Sequence, residues 1–138
     1  DEGWDLAHDM ILKSVIRMAR LVTPTMERQH GGAIVNVTTY ASHEPSLWFP
    51  ASCAYRAAVS TFTKLYSDRY GPQNIRMNCL APGFTDSLDV AKYGDLAALK
   101  RIGTVQEQAR AAAFLLTDDS SYVTGQTLRV DGGLTRSV

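Results

Sequence analysis

The chain has 138 residues, 45% of them hydrophobic, which suits one domain with a substantial core. Fourteen basic and fourteen acidic side chains cancel, so charge gives no reason to expect a nucleic-acid partner or an anionic membrane surface. No apolar run reaches the roughly 18 residues of a membrane span, and the acidic first residues lack the basic region of a signal peptide.

The two cysteines, Cys53 and Cys79, fall in a predicted helix and a predicted buried strand. This placement predicts neither a disulfide framework nor a metal cluster, and we expect a cytoplasmic protein. Asp1 enters a helical pattern directly, with no Met and no strand before it. We therefore expect the chain to be a fragment of a longer protein.

The first predicted element is a long amphipathic helix over about residues 3–28, ended by Gly31 and Gly32. One face of it carries side chains at steps of three and four: Trp4, His8, Ile11, Val15, Met18 and Val22. Residues 33–38 form a short β-branched run between turn residues, which indicates a strand buried on both faces of a parallel sheet. Residues 40–49 have no period and indicate a loop.

A second helix is predicted from Pro50 to Tyr70, because proline is favourable in a first turn and Gly71-Pro72 stops the pattern. Residues 75–80 are a second predicted strand, which residues 81–83 (Ala-Pro-Gly) break at its carboxyl end.

Residues 84–103 are a mixed stretch with a short helix expected around residues 89–100. Thr104 and Glu107 have the spacing of a capping box and predict a helix to about Leu116. Residues 127–130 form the last predicted strand. Alternating helices and strands are typical of an α/β protein with a parallel sheet.

Several segments resemble, in order and spacing, the catalytic C-terminal half of the short-chain dehydrogenase/reductase family. They are residues 32–39, 52–59, 74–83, 101–103, 114–116, 121–126 and 130–133. The resemblance implies a Rossmann-like, doubly wound parallel sheet, of which residues 1–138 supply about three strands and flanking helices as a single domain. No glycine-rich turn for a dinucleotide pyrophosphate is found, so about a hundred residues of a full-length member are expected to be missing before Asp1.

The resemblance also places the catalytic residues. Thr39 falls on the family's active-site Ser, Ser52 on the Tyr of its Tyr-x-x-x-Lys motif, and Arg56 on the Lys. Ile11 falls where an Asn usually completes a proton relay. Because an aliphatic hydroxyl is far less acidic than a phenol and a guanidinium stays protonated, the usual Tyr-mediated proton transfer is not expected here.

The same resemblance places cofactor contacts. Pro82, Gly83 and Ser87 fall on the turn that lies beside the nicotinamide, and Arg56 falls where the family holds the ribose. These residues imply that the protein binds NAD or NADP, but only when the missing N-terminal half is present. No metal site is implied.

Other side chains leave alternatives open. Tyr55 lies one turn beyond Ser52, where its phenol either replaces the missing one or packs. His43 and Glu44 are either a general base in the substrate loop or a solvated pair. Trp48 and Phe49 are candidates for a pocket wall or an intersubunit contact.

The implied function is an oxidoreductase that acts on a small carbonyl or alcohol substrate with NAD(P)(H), although the residues at Ser52 and Arg56 put the activity in question. One alternative is a catalytically silent subunit kept for binding or assembly. Another is a halohydrin dehalogenase-like lyase, whose pattern Arg56 fits and Ser52 does not. The resemblance further implies a homodimer or homotetramer through the helices near residues 3–28 and 50–70, with candidate contacts at Val59, Phe62, Leu65 and Tyr66.

Overall fold

The computed structural model describes residues 1–87 and 90–137. Three strands are joined by helices in an α/β arrangement, as the sequence predicts. The helices are α1 (Glu2–Ala7), α2 (Ser14–Arg28), α3 (Pro50–Tyr70) and α4 (Val105–Leu116), and a π-helical segment (His8–Lys13) joins α1 to α2. The strands are β1 (Gly32–Val37), β2 (Ile75–Pro82) and β3 (Thr127–Val130). Short 3₁₀ turns lie at Tyr40–Ser42, Gly71–Gln73, Ala91–Leu96 and Asp118–Ser120.

The strands lie in the order β1-β2-β3, and both pairs are parallel. Ile34 lies opposite Met77 and Val35 opposite Asn78, which confirms the predicted pairing of the first two strands. Because parallel strands run the same way, their C-terminal ends share one side of the sheet, here called the carboxyl edge. Their N-terminal ends share the other side, the amino edge.

The core is built on the central strand β2. Ile75, Met77 and Cys79 have no exposed surface, and the first two pack with Ala19 of α2 and Tyr66 of α3. Asn78 is also fully buried, and its side chain is satisfied because it donates to the Val123 carbonyl at 2.9 Å and accepts from the Gln126 N–H at 3.0 Å. Polar groups inside the sheet are thus paired, as burial requires.

Strand β1 is less buried than the sequence predicts. Most of its residues are half-buried, and 58% of Val37 is exposed. Within the described residues β1 pairs with β2 alone, so its other side is an open edge. Within the described residues the predicted burial is therefore met by β2, whereas β1 is only half-buried.

The predicted first helix spans the expected residues, but its middle segment is π-helical and not α-helical. Residues 8–13 are π-helical, with N–H groups that reach five residues back. Just beyond them Ser14 Oγ donates to the Met10 carbonyl at 2.6 Å. Helix α2 then passes through Pro24 and ends at Arg28, before the glycines that were expected to stop it.

Other boundaries differ by a few residues. Strand β2 extends two residues further than predicted, to Pro82. The short helix expected around residues 89–100 is a 3₁₀ turn at Ala91–Leu96, and Asp89 lies outside the described residues. The predicted capping box is confirmed: Thr104 Oγ1 accepts from the Glu107 N–H at 3.2 Å, and Glu107 Oε2 accepts from the Thr104 N–H at 2.8 Å.

Across residues 1–87 and 90–137, no helix is both long and apolar enough to cross a lipid bilayer. The same residues contain no group of three or more His, Cys, Asp or Glu side chains placed to hold a metal ion.

Candidate active site

The candidate site lies at the carboxyl edge, where segments leave the ends of all three strands. The β1–α3 loop (residues 38–49) follows β1, the turn at Gly83 follows β2, and the C-terminal tail (residues 131–137) follows β3. In parallel α/β sheets this edge is where ligands bind.

Arg56 is held against the end of β1. Its Nη1 donates to the Val37 carbonyl at 2.6 Å and to the Thr38 carbonyl at 3.4 Å. Because Thr38 donates its own N–H to β2, the Val37 carbonyl one residue earlier points to the open edge of β1. Arg56 therefore caps that edge from helix α3.

Ser52 is joined to Arg56 within the first turns of α3. Arg56 Nε donates to Ser52 Oγ at 3.2 Å, so the serine hydroxyl accepts and its own proton remains available to another acceptor. Partial burial lowers the pKa of Arg56 by desolvation, yet a guanidinium stays charged at any ordinary pH. The pair places one hydroxyl beside one fixed positive charge.

Thr39 follows Thr38, whose carbonyl Arg56 contacts, but it makes separate bonds. Its Oγ1 accepts from the Ala41 N–H at 3.4 Å and its carbonyl accepts from Ser42 Oγ at 2.6 Å. These bonds begin the Tyr40–Ser42 turn. Within the described residues no hydrogen bond links Thr39 to Ser52 or Arg56, so the three residues share the end of β1 without forming one network.

The turn after β2 is held by packing within the chain. Gly83 donates its N–H to the Val130 carbonyl at 3.1 Å, and a Cβ at Gly83 would meet the Cα of Asp131 at 2.8 Å. A glycine is therefore required for the close approach of two strand ends, whereas the sequence suggested an approach to nicotinamide. Ser87 is exposed, and its hydroxyl lies 2.8 Å from that of Thr85.

A cluster of aromatic rings crosses the site, and Trp48 is its only member that the sequence suggested as a pocket wall. It comprises Tyr40, Trp48, Phe84 and Tyr93. Phe84 stacks on Tyr93 with ring centroids 4.8 Å apart and contacts Tyr40 at 5.4 Å, while Trp48 contacts Tyr93 at 5.7 Å. Burial raises the pKa of Tyr40, and the neighbouring Cys53 and Tyr93 add to that rise. The only available signal was an aromatic residue shortly after each of two strand ends.

Tyr55 packs away from Ser52. Its ring stacks on His8 at 5.3 Å and meets the edge of Trp4 at 5.8 Å. Among the described residues it forms no hydrogen bond with Ser52 or Arg56. Of the two interpretations of Tyr55, packing is the one these contacts support.

A mostly apolar cavity of about 240 Å³ lies between the β1–α3 loop and helix α3. The lining residues are Ser42, Pro45, Ser46, Leu47, Pro50, Cys53, Ala54 and Ala57. The Cys53 thiol is buried and lies 3.7 Å from the Ser46 carbonyl. The cavity is small and borders the turn of α3 that carries Ser52.

Comparison with known proteins identifies the family. The family model described as enoyl-(acyl carrier protein) reductase matches residues 1–135. The solved structure of a short-chain type dehydrogenase/reductase from Mycobacterium ulcerans has a TM-score of 0.92 and 29% identity, over 97% of this chain and 52% of that chain. The chain belongs to the short-chain dehydrogenase/reductase family.

Two further members show the extent of the match. The 3-oxoacyl-(acyl-carrier-protein) reductase FabG of Chlamydia muridarum is 36% identical in an alignment that covers 97% of this chain and 57% of the relative. A 3-oxoacyl-(acyl-carrier protein) reductase from Brucella melitensis, solved with bound NAD, has a TM-score of 0.90 and 33% identity over 99% of this chain and 53% of that chain. The chain thus spans little more than half the length of these short-chain dehydrogenases/reductases. The predicted family and fold are confirmed, while the roles of Thr39, Ser52, Arg56, Pro82, Gly83 and Ser87 stay predictions.

Proposed function

We propose that this chain is the catalytic half of a short-chain oxidoreductase that binds NAD or NADP with an N-terminal half and acts on a small carbonyl or alcohol substrate. The observation that carries the proposal is the Ser52–Arg56 pair, which puts a hydroxyl and a fixed positive charge at the carboxyl edge beside Thr39. Charge that develops on a substrate oxygen is stabilised by such donors.

The nicotinamide end of the cofactor fits the residues present. Thr85 and Ser87 present paired hydroxyls just beyond the Gly83 turn, and these suit a carboxamide. Arg56 is the cation nearest the end of β1 and suits a ribose hydroxyl. A bound nicotinamide would supply or accept the hydride. The part of the cofactor that contains the pyrophosphate would depend on residues outside this chain.

The substrate oxygen must receive its proton without a tyrosine phenol, because position 52 is a serine. Hydride addition to a carbonyl carbon leaves an electron pair on the oxygen, which then takes a proton. Because Ser52 Oγ accepts from Arg56, its own proton can point toward the substrate, and Thr39 Oγ1 can donate in the same way. We propose that these hydroxyls hydrogen-bond the oxygen and that a water molecule donates the proton to it, which leaves a hydroxide ion that the solvent neutralises.

The silent-subunit alternative is favoured by one specific observation. The Arg56 guanidinium already donates to Ser52, Val37 and Thr38, so its donors serve the fold before any ligand arrives. A protein that retains the packing of the site without proton chemistry would bind cofactor and not turn over.

The test uses the full-length protein that contains this chain. NADH and NADPH binding is measured by fluorescence, and turnover is measured with a panel of ketones, aldehydes and alcohols. Under the oxidoreductase proposal, Ser52→Ala and Arg56→Ala each lower kcat/KM by about a hundredfold, as loss of a donor at a reacting oxygen does. Arg69→Lys, at an exposed position of α3, is the control.

The double variant Ser52→Tyr with Arg56→Lys separates the two candidates. Cofactor binding without turnover in the natural protein, followed by gain of turnover in this variant, would favour the silent subunit. Failure of the natural protein to bind either nucleotide would overturn both.

We further propose a cytoplasmic homodimer or homotetramer that assembles through α1–α2 and α3. Leu6, Met10, Met18, Leu21 and Leu65 are large apolar side chains that are more than half exposed on these helices. Of the four candidate contacts from the sequence, Val59 and Tyr66 are buried within their own chain, so the proposal relies on Leu65, which is exposed. Light scattering of Leu65→Glu should show smaller particles than the natural protein.

A further inference from the structure

The C-terminal tail is fastened to the β1–α3 loop by one carboxylate. Glu44 Oε1 accepts the N–H of Arg136 at 2.6 Å and the N–H of Ser137 at 2.8 Å. These partners are 92 and 93 residues away in the chain. Two consecutive N–H groups that converge on one oxygen form a small anion-binding concavity.

The tail is shaped to deliver those two N–H groups. At its start the Asp131 carboxylate accepts from the N–H groups of Gly133 and Thr135, each at 3.0 Å. At its end Arg129 Nη1 donates to the Ser137 carbonyl at 2.6 Å. The tail is thus fixed on both sides of the residues that reach Glu44.

The loop, by contrast, has few anchors around Glu44. His43 and Pro45 are exposed, and Leu47 and Trp48 are 96% and 70% exposed. The N–H groups of His43 and Glu44 donate within the loop, to the Tyr40 carbonyl at 3.0 and 3.4 Å. The next contact to another element is that of the Ser46 N–H, 3.5 Å from Cys53 Sγ, and a thiol is a weak acceptor. The two charge-assisted hydrogen bonds of Glu44 are a stronger constraint on the loop than the contact with the thiol.

This same loop forms the walls of the site. It begins beside Thr39, contributes Tyr40 and Trp48 to the aromatic cluster, and supplies four residues that line the apolar cavity. A constraint on the loop is therefore a constraint on the space above Ser52 and Arg56.

We propose that Glu44 is a positioning residue that holds the β1–α3 loop against the C-terminal tail and so sets the shape of the substrate pocket. That the pocket binds substrate rests on the proposed function, whereas the hydrogen bonds of Glu44 to the tail are a property of the fold. It also assigns Glu44 a role other than the general base considered from the sequence. The two N–H groups, that of Ser137 first and then that of Arg136, hold the pKa of Glu44 below its ordinary value, so the group is a carboxylate at neutral pH.

Hydrogen exchange of the full-length protein, read by mass spectrometry, tests the tether without any need for turnover. Glu44→Ala should raise exchange by about tenfold in peptides covering residues 42–49 and 132–137, the local effect of losing a charged acceptor. Helix α4 should keep its protection. Glu44→Gln, which retains an acceptor oxygen, should fall between the two, and Glu27→Ala, exposed on α2, is the matched control.

A truncation after Thr135 completes a double-mutant cycle. If Glu44 acts through the tail, truncation alone reproduces the exchange of residues 42–49 seen in Glu44→Ala, and the two changes together add nothing. Additive effects, or unchanged exchange of the loop in Glu44→Ala, would overturn the proposal.

Kinetics then measure the consequence for the pocket. Where the full-length protein turns over, Glu44→Ala should raise KM by about tenfold with little change in kcat, since binding of substrate is affected and chemistry is not. A fall in kcat with unchanged KM would overturn the positioning role even if the tether is real. Absence of turnover in the natural protein contradicts the proposed function and leaves the exchange result to decide on the tether.

Discussion

Each edge of the sheet has an arginine that donates to backbone carbonyls, but the two arginines lie in different surroundings. At the amino edge, Arg76 of β2 donates to the carbonyls of Leu115, Thr117 and Val123 and to the Ser120 hydroxyl, at 3.0 to 3.2 Å. At the carboxyl edge, Arg56 of α3 donates to the Val37 and Thr38 carbonyls and to the Ser52 hydroxyl. Each arginine donates to several backbone carbonyls at one edge of the sheet.

The difference lies in what surrounds each arginine. The groups around Arg76 are mostly backbone carbonyls at the end of α4, so its bonds join a strand to a helix. The groups around Arg56 include the hydroxyls of Ser52 and, nearby in the chain, Thr39, with a cavity and an aromatic cluster alongside. Position in the sheet, and not the type of side chain, separates a structural arginine from a candidate catalytic one.

The largest expected effect is at the amino edge. Arg76→Ala removes the donor to two partly buried carbonyls, those of Leu115 and Val123, and to the exposed Thr117 carbonyl. We expect a loss of about 2–3 kcal/mol in the free energy of unfolding, because hydrogen bonds from a charged group are the stronger kind. Urea denaturation of the full-length protein measures it, and Arg110→Ala, exposed on α4, is the control.

Cofactor affinity of folded Arg76→Ala should remain near that of the natural protein. A fall in affinity as large as that of Arg56→Ala would remove the distinction between the two edges.

The next effect is at the carboxyl edge. Gly83→Ala places a Cβ where it would meet the Asp131 backbone at 2.8 Å, and overpacking of this kind costs about 1–3 kcal/mol. Thermal denaturation measures the change. Gly71→Ala is the matched control, since nothing lies within 4 Å of the added Cβ and the residue has helical φ and ψ of −55° and −43°.

Equal stabilities of the two glycine variants would contradict the close approach of β2 and the tail. Loss of cofactor affinity in Gly83→Ala without loss of stability would instead restore the sequence-based explanation for this glycine.

Features set by neighbours in the chain could be read from the sequence. The capping box needs only Thr104 and Glu107, and the end of strand β2 is marked by the Ala-Pro-Gly at residues 81–83, so both elements were predicted. The family motifs likewise gave the order of elements and the positions of Thr39, Ser52 and Arg56. These are local signals, in which each residue constrains others within a few positions.

Features set by distant partners could not be read. The bonds of Glu44 to residues 136 and 137 depend on how β1 and β3 are placed, and the reason for Gly83 is the backbone of Asp131, just after β3. The open edge of β1 depends on what pairs with it, so its burial was overestimated. The sequence could place the candidate residues along the chain, but it missed the distant partners that hold their loops.

The smallest expected effect concerns the pH dependence of stability. It compares the two edges through α4, because each end of this helix lies at a different edge. At the carboxyl edge the first turn of α4 is capped by Glu107, whose pKa falls to about 2 because Arg101 and the Thr104 N–H bond its carboxylate. At the amino edge the last turn is capped by Arg76, whose carbonyl partners do not titrate. A carboxyl group with a depressed pKa contributes stability above its ordinary pKa, and that contribution disappears as pH falls through the folded value.

The Tm of the natural protein should therefore exceed that of Glu107→Gln at pH 7, and the gap should narrow as the pH falls from about 4.5 toward about 2. The gap between the natural protein and Arg76→Ala should stay constant over the same range. Far-UV circular dichroism melts at several pH values measure both gaps, and Glu27→Gln, exposed on α2, controls for general charge effects. If the Tm difference between the natural protein and Glu107→Gln did not change with pH, the carboxylate charge would not contribute to the cap. Neither end of α4 would then depend on a group that titrates in this range.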